Sequence, residues 1–375
     1  MSFTADTISG VDPFASHLRV LHVLQPGEAG VWRYASDMAG FEAAQGWDVH
    51  VASPVRPDAD VPWREWQAVR NPAKGVRDES RRLLGIVEEL RPDVVVAHSS
   101  KAGLVVRSAL RGSLPTVFLP HAWSFAALTG PVALAARRWE KLAAQWTSAV
   151  VCVGEGEART GVAAGIRAPF FLVPNPVPPQ WASDARRPFS ELGIGSAPDV
   201  VFVGRLSEQK GVDHLLAAWG VVRRLRPDAT LVIVGDGPDR ADLEASAGPG
   251  VRFVGAVTDP WSYVEAAPVA VLPSRWEGLS LSMLEAMASG RSMVVTDVDG
   301  SEVVRAAGGG AVVPVGDTTA LARELLTRLD EPDLVAQEGR SAQEYVRVHH
   351  DFEVAARRLA AIVSRAYAFG DPASS

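Results

Sequence analysis

The chain has 375 residues, 47% of them hydrophobic and 22% charged, the balance of a soluble folded protein with room for two domains and not of a disordered one. Its net charge of −7 gives no general attraction to nucleic acid, and its single cysteine, Cys152, excludes a disulfide within the chain. The charge is uneven. Up to residue 187 there are 20 basic and 18 acidic residues, and after it 17 and 26. The first half therefore suits an anionic surface, unless surface charge has simply drifted.

The opening "MSFTADTISGVDPFASH" has neither a basic start nor a long apolar core, so it reads as a frayed tail and not a signal peptide. "HLRVLHVL" (17–24) predicts a strand, and the helix after "PGEAG" carries Val31, Tyr34, Met38 and Phe41 on one stripe. Next come a strand in "WDVHVAS" (47–53), a helix near 75–90, a strand in "PDVVVAHSS" (92–100) and a helix from Lys101. "PTVFLP" (115–120) reads as a buried strand. The uncharged run 112–136 is long enough to span a bilayer, but Pro115, Pro120, Gly130 and Pro131 interrupt it, so no membrane helix is expected.

A helix over 132–146 has Val132, Ala135, Trp139, Leu142 and Trp146 on one stripe and Arg137, Arg138 and Lys141 off it. It packs that stripe on the core or touches a membrane surface. "AVVCVG" and "FFLVPN" are strands, with Cys152 an inert core residue.

The proline-rich stretch 175–189 lacks periodicity and reads as a linker. Strands then recur in "DVVFVGR" (199–205), "TLVIVGDG" (230–237), "GVRFVGAV" (250–257), "PVAVLPS" (268–274), "SMVVTDV" (292–298) and "GAVVPVGD" (310–317), with a helix from Lys210 and a helical end over 318–367. Runs apolar on both faces that alternate with helices predict parallel, doubly wound sheets. The expectation is two Rossmann-like domains, 1–180 and 181–375, facing an interdomain cleft, with the last helix packing back on the first domain.

In such sheets ligands bind beyond the carboxyl ends of strands. Gly204, Arg205 and Lys210 follow one strand. Their close-approach glycine, planar cation and point charge suit a diphosphate, or the two cations are merely solvated. No complete G-x-G-x-x-G or P-loop occurs, which weakens oxidoreductase and kinase readings. In "SRWEGLSLSMLEAMASG" (274–290), Glu277 precedes a helix and Glu285 lies inside it, with the N–H groups around Leu279, Ser280 and Leu281 between them. That is a phosphate site with a carboxylate at each end. The bland alternative is a capping box, Ser282 to Glu285.

"VGRLSEQKG", "VIVGDGP", "SRWEGLSLSMLEAMASG" and "GAVVPVGD", in this order, resemble the retaining glycosyltransferases of family 4 with the GT-B fold. The first half is similar more loosely, through "GEAGVWRYASDMAG", "AHSSKAGLVVRSAL", "PHAW" and "VPNPV". The resemblance implies transfer of a sugar from a nucleotide diphosphate sugar to a hydroxyl acceptor, with retention. It implies that Arg205 and Lys210 hold the diphosphate, that Glu285 binds the ribose, and that Glu277 with Gly278, Leu279 and Ser280 contacts sugar and phosphates. It also implies that His121 meets a sugar hydroxyl from the opposite domain and that Gly30 opens a first-domain loop towards the phosphates.

The first-domain loop, "GEAG", lacks the family's adjacent glycines, and Asp299 stands where glycine is commoner. "AHSSKAG" is similar to stretches in members that extend lipid-linked polysaccharide precursors. His98, Ser99 and Lys101 then line an acceptor pocket, or a serine there is only an N-cap. "DAD" (58–60) and "DVD" (297–299) arise readily by chance, so no metal or other cofactor is expected to be required. The expected partners are the donor and the acceptor, without nucleic acid. The expected place is the cytoplasm, with peripheral contact at the inner face of the membrane. A nucleotide-sugar epimerase and a non-catalytic subunit are the rival readings.

Overall fold

The computed structural model describes residues 12–25, 29–69, 74–126, 128–177 and 191–370. The expected tail before residue 12, the loop residues Gly27 and Glu28 and most of the expected linker lie outside them. The chain divides into two compact units. One comprises the residues up to Asn175 together with those from Glu353, and the other runs Pro176–Phe352.

In the first unit seven strands form one sheet: β1 (Arg19–Leu24), β2 (Asp48–Ser53), β3 (Trp63–Glu65), β4 (Val94–His98), β5 (Thr116–Leu119), β6 (Ala149–Cys152) and β7 (Phe170–Leu172). Their order is β3-β2-β1-β4-β5-β6-β7, with every pairing parallel. The second unit holds β8 (Val200–Val203), β9 (Leu231–Val234), β10 (Val251–Gly255), β11 (Val269–Leu272), β12 (Ser292–Thr296) and β13 (Gly310–Val313). Their order is β10-β9-β8-β11-β12-β13, again parallel throughout. The central strands β4, β5, β6, β8, β9, β11 and β12 are buried on both faces, which is why they read as apolar runs. The strand order reverses between β1 and β4 and between β8 and β11. These are the two positions where open α/β sheets leave a crevice for ligands.

Local corrections to the sequence reading follow from packing. The three-residue edge strand β3 carries no alternation strong enough to read. Helix Ser99–Leu110 begins two residues before Lys101. In helix Gly130–Ala143 the buried side chains are Glu140 and Ala143, while Val132 is 61% and Leu142 51% exposed, so the inner stripe is not the one expected. The reason is an ion pair: Glu140 turns inward to meet the buried Arg107 at 2.9 Å, and Arg107 lies over the Phe118 ring. The helical end is three helices, Thr318–Asp330, Pro332–His349 and Phe352–Gly370, broken at Glu331 and around His350. Cys152 is fully buried and burial raises its thiol, so it is unreactive. Among the described residues no helix is long and apolar enough to cross a membrane.

Candidate functional site

In the second unit Gly204 and Arg205 leave the end of β8, and the Gly204 N–H donates to the Val234 carbonyl at 3.0 Å. The chain makes one 3₁₀ turn, Glu208–Lys210, and passes Gly211 in the left-handed region, at φ +62°. A Cβ there would lie 2.1 Å from the Pro273 carbonyl oxygen, so only glycine lets the turn sit against the loop after β11. Arg275 fastens the two loops. Its N–H donates to the Gln209 carbonyl at 2.7 Å and its guanidinium to the Glu208 carbonyl at 2.7 Å. The same guanidinium forks onto Asp213 at 2.9 and 2.6 Å, which holds that carboxyl below its ordinary range.

This fastening places Lys210 against Glu277. Their side chains form an ion pair, only 15% and 12% exposed. Glu277 also accepts from Ser274 Oγ at 2.9 Å and from Gln209 Nε2 at 3.4 Å. Gly278 and Leu279 then lead into helix Leu281–Ala288, whose N-cap is Ser280. The Ser280 side chain makes no cap bond and meets Ser282 Oγ at 3.1 Å. The Ser280 side chain therefore does not occupy the N–H groups of the first turn, which point out of the helix end where an anion is favoured. Glu285 is the fifth helical residue and 2% exposed. With Ser280 as N-cap, the capping-box position three residues on belongs to Met283, so the Ser282–Glu285 box does not form. Gly290, at φ +70°, closes the helix by donating to the Met287 carbonyl at 2.9 Å.

In the first unit Gly30 is the second residue of helix Ala29–Ala44. His98 ends β4 and His121 follows β5. His121 and Ala122 hold φ values of +49° and +88°, a conformation costing on the order of 1–3 kcal/mol per residue. The buried Glu157 offsets that strain. It accepts the Ala122 N–H at 2.6 Å and the Val153 N–H at 2.8 Å.

His121 Nε2 lies 3.2 Å from His98 Nδ1, His98 Nε2 lies 2.9 Å from His22 Nδ1, and His22 Nε2 lies 2.8 Å from Glu42 Oε2. His22, His98 and Glu42 are buried. Burial, and then its histidine neighbours, put His98 well below the ordinary imidazole range, and burial takes His121 down to about 3. Both are bases with depressed folded values, so the unfolded chain takes up their protons first. Each contributes stability that is present above about pH 6.5 and is lost as pH falls towards the folded value. Thermal melts should show Tm falling between about pH 7 and pH 5, with a shallower fall in His121→Asn. Equal slopes would refute this source of acid lability.

Of the three residues expected to line an acceptor pocket, His98 and Lys101 are buried and Ser99 is half-buried. His98 is bonded at both nitrogens, and Ser99 Oγ donates to the Gln25 carbonyl. Lys101, 4% exposed, pairs with Glu79 at 2.7 Å and donates to the Lys74 carbonyl at 2.6 Å. Sequence reasoning passed over His22, Glu42 and Glu157 in the first unit and Ser274, Arg275 and Asp213 in the second. A histidine inside the apolar run "HLRVLHVL" was the available signal. Among the described residues no group of three or more His, Cys, Asp or Glu side chains is arranged to hold a metal ion, and Asp297 of the "DVD" triplet pairs with Arg305 at 2.8 Å.

Two family models match the chain in tandem: Glycosyltransferase Family 4 over residues 29–181 and Glycosyl transferases group 1 over 197–331. The α-D-kanosaminyltransferase of Streptomyces kanamyceticus is 32% identical over 45% of this chain, and the match spans 46% of that relative's length. The glycogen synthase of Mycobacterium tuberculosis is 29% identical over 75% of this chain and 70% of its own. The crystal structure of Anabaena HepE in complex with UDP-glucose superposes with a TM-score of 0.79 at 20% identity, covering 93% of this chain and 100% of that one. At that identity the likeness is one of fold.

Proposed function

The chain belongs to the family 4 glycosyltransferases, and from that premise we propose that it moves a sugar, with retention, from a nucleoside diphosphate sugar to a hydroxyl acceptor. The observation that carries this reading is the fastened Lys210–Glu277 pair beside a helix N-terminus whose N-cap residue, Ser280, makes no side-chain cap bond. The transition state of such a transfer places positive charge on the sugar and negative charge on the departing diphosphate. Arg205, Lys210 and the N–H groups around Gly278, Leu279 and Ser280 supply fixed donors for that negative charge, with Gly204 allowing close approach. Glu277 keeps Lys210 ordered and its carboxylate faces the same phosphates and sugar. In the first unit, taken by itself, Gly30 offers an N–H near the start of helix Ala29–Ala44 to a phosphate and His121 offers an acceptor to a hydroxyl. UDP-glucose bound to Anabaena HepE supports a nucleotide sugar as donor, without naming the sugar here.

Glu285 takes the ribose. Glu285→Gln keeps shape and burial but removes a charge-assisted bond, so nucleotide affinity should fall about tenfold with little change in Tm. Calorimetric titration with nucleoside diphosphate checks this. Unchanged affinity would make Glu285 a structural residue.

A lipid-linked acceptor is the finer part of the proposal. Helix Gly130–Ala143 shows Val132, Leu134 and Leu142 to solvent together with Arg137, Arg138 and Lys141, an apolar and basic face suited to an anionic headgroup layer. That His98, Ser99 and Lys101 line an acceptor pocket belongs to the same proposal, although their side chains are already bonded. The deciding experiment incubates the protein with a panel of nucleotide sugars, with and without hydroxyl acceptors. Donor turnover that needs an acceptor and preserves the anomeric configuration supports transfer. Isomerised donor without acceptor means an epimerase, and binding without turnover means a non-catalytic subunit.

A further inference from the structure

Glu42, His22, His98 and His121 form an unbroken hydrogen-bonded file from a buried carboxylate on helix Ala29–Ala44, through β1 and the end of β4, to the strained residue after β5. The rings are held in place as well as linked. His22 stacks on His98 at 5.2 Å and His98 on His121 at 5.5 Å, while the buried Tyr34 meets His98 and His121 edge-on at 6.0 and 5.0 Å. We propose that Glu42, through His22 and His98, locks the tautomer of His121, so that its Nδ1 is a hydrogen-bond acceptor only and the site selects a ligand group that carries a donor proton, a hydroxyl.

The number of donors in the file sets the direction of each bond. A neutral imidazole has one N–H and one acceptor nitrogen, and a carboxylate only accepts. His22 must then give its Nε2–H to Glu42, which leaves its Nδ1 to accept from His98 Nε2–H. His98 Nδ1 in turn accepts from His121 Nε2–H. With Glu42 ionised and His22 neutral, which the proposal includes, one order of donors satisfies all three bonds, and it ends with a lone pair on His121 Nδ1, where no described residue bonds. Were the carboxyl protonated, every donor would reverse and Nδ1 would carry the proton. Burial keeps His98 and His121 neutral, as the count requires. Glu42 Oε1 has no hydrogen-bond partner among the described residues, so the carboxylate is directed at His22. Glu42, His22 and His98 are positioning residues that act through His121.

The hydroxyl-binding role of His121 rests on the transfer reading above, but the tautomer lock does not, and the test separates them. Protein labelled with ¹⁵N at histidine is examined without ligand by spectra that report which ring nitrogen bears the proton. The expected result is Nε2–H on His22, His98 and His121, with couplings across the two inter-ring hydrogen bonds. In Glu42→Gln the amide can donate or accept, so the His121 signals should average between tautomers. The kcat/KM for transfer should fall about tenfold, mainly in KM, with Tm nearly held.

His98→Phe keeps a stacked ring but cuts the file, and should give the same averaged signals should Glu42→Gln fail to fold. A proton on His121 Nδ1 in the wild type overturns the proposal. So does an unchanged His121 tautomer in the folded variants, whatever the kinetics. A lock that is present in a protein without transfer activity refutes the transfer reading alone.

Discussion

Replacing Arg205 and Lys210 together by alanine should cut kcat/KM for sugar transfer by at least about a hundredfold, because each charge-assisted hydrogen bond to the leaving diphosphate is worth about 1.5–3 kcal/mol. Both residues follow β8 at the point where strand order reverses, and both belong to loops that Gly211 and Arg275 hold in one arrangement. The effects should be non-additive, since the proposed mechanism has both groups act on one diphosphate. Arg205→Lys should rescue poorly, because an ammonium lacks the planar fork.

Removing Lys210 leaves Glu277 with Ser274 Oγ and Gln209 as donors, so the fold should survive with a small loss of Tm. The double variant Lys210→Met with Glu277→Gln controls for that loss: it removes both charges and should stay as inactive as Lys210→Met. The measurements are kcat/KM with the true donor and thermal melts of each variant. Near-normal turnover in a folded double mutant would remove the main support for the transfer mechanism.

Lys101→Met should lower stability by about 3–5 kcal/mol, because it strands the Glu79 carboxylate in the core of the first unit. Both side chains are 3% exposed, and their contact is 2.7 Å. Glu79 also accepts the Val69 N–H at 2.8 Å, and Lys101 donates to the Lys74 carbonyl, so the pair ties the segment before helix Val76–Leu90 to helix Ser99–Leu110. A fall in Tm on the order of 10 °C is the expected reading. Adding Glu79→Gln should recover much of it, since no unpaired charge remains. If Lys101 binds acceptor instead, Lys101→Met will raise the acceptor KM while Tm holds. The two outcomes separate a structural clamp from a binding residue.

Much of the architecture was written in local patterns. Strands buried on both faces show as apolar runs, so "VVVAH" and "VVFV" announce themselves, and a glycine such as Gly290 marks a helix end by its own conformational freedom. The second-unit candidate site was legible as a position in the fold for the same reason. Gly204 to Lys210 and Glu277 to Glu285 are contiguous stretches that follow strands, and the position after a parallel strand is where α/β sheets place ligands. Nothing local says that Lys210 and Glu277 share an ion pair 67 residues apart, because that depends on β8 and β11 being neighbours.

The histidine file lies further beyond the reach of pattern. His22, His98 and His121 sit in three separate segments, and each reads singly as a core or loop residue. Strand order β1-β4-β5 and the parallel register set them within hydrogen-bond distance. The inward turn of Glu140 and the burial of Lys101 have the same origin. Periodicity places a side chain on a face, whereas desolvation makes a buried charge seek its partner across the fold, and only the tertiary structure says which partner is there.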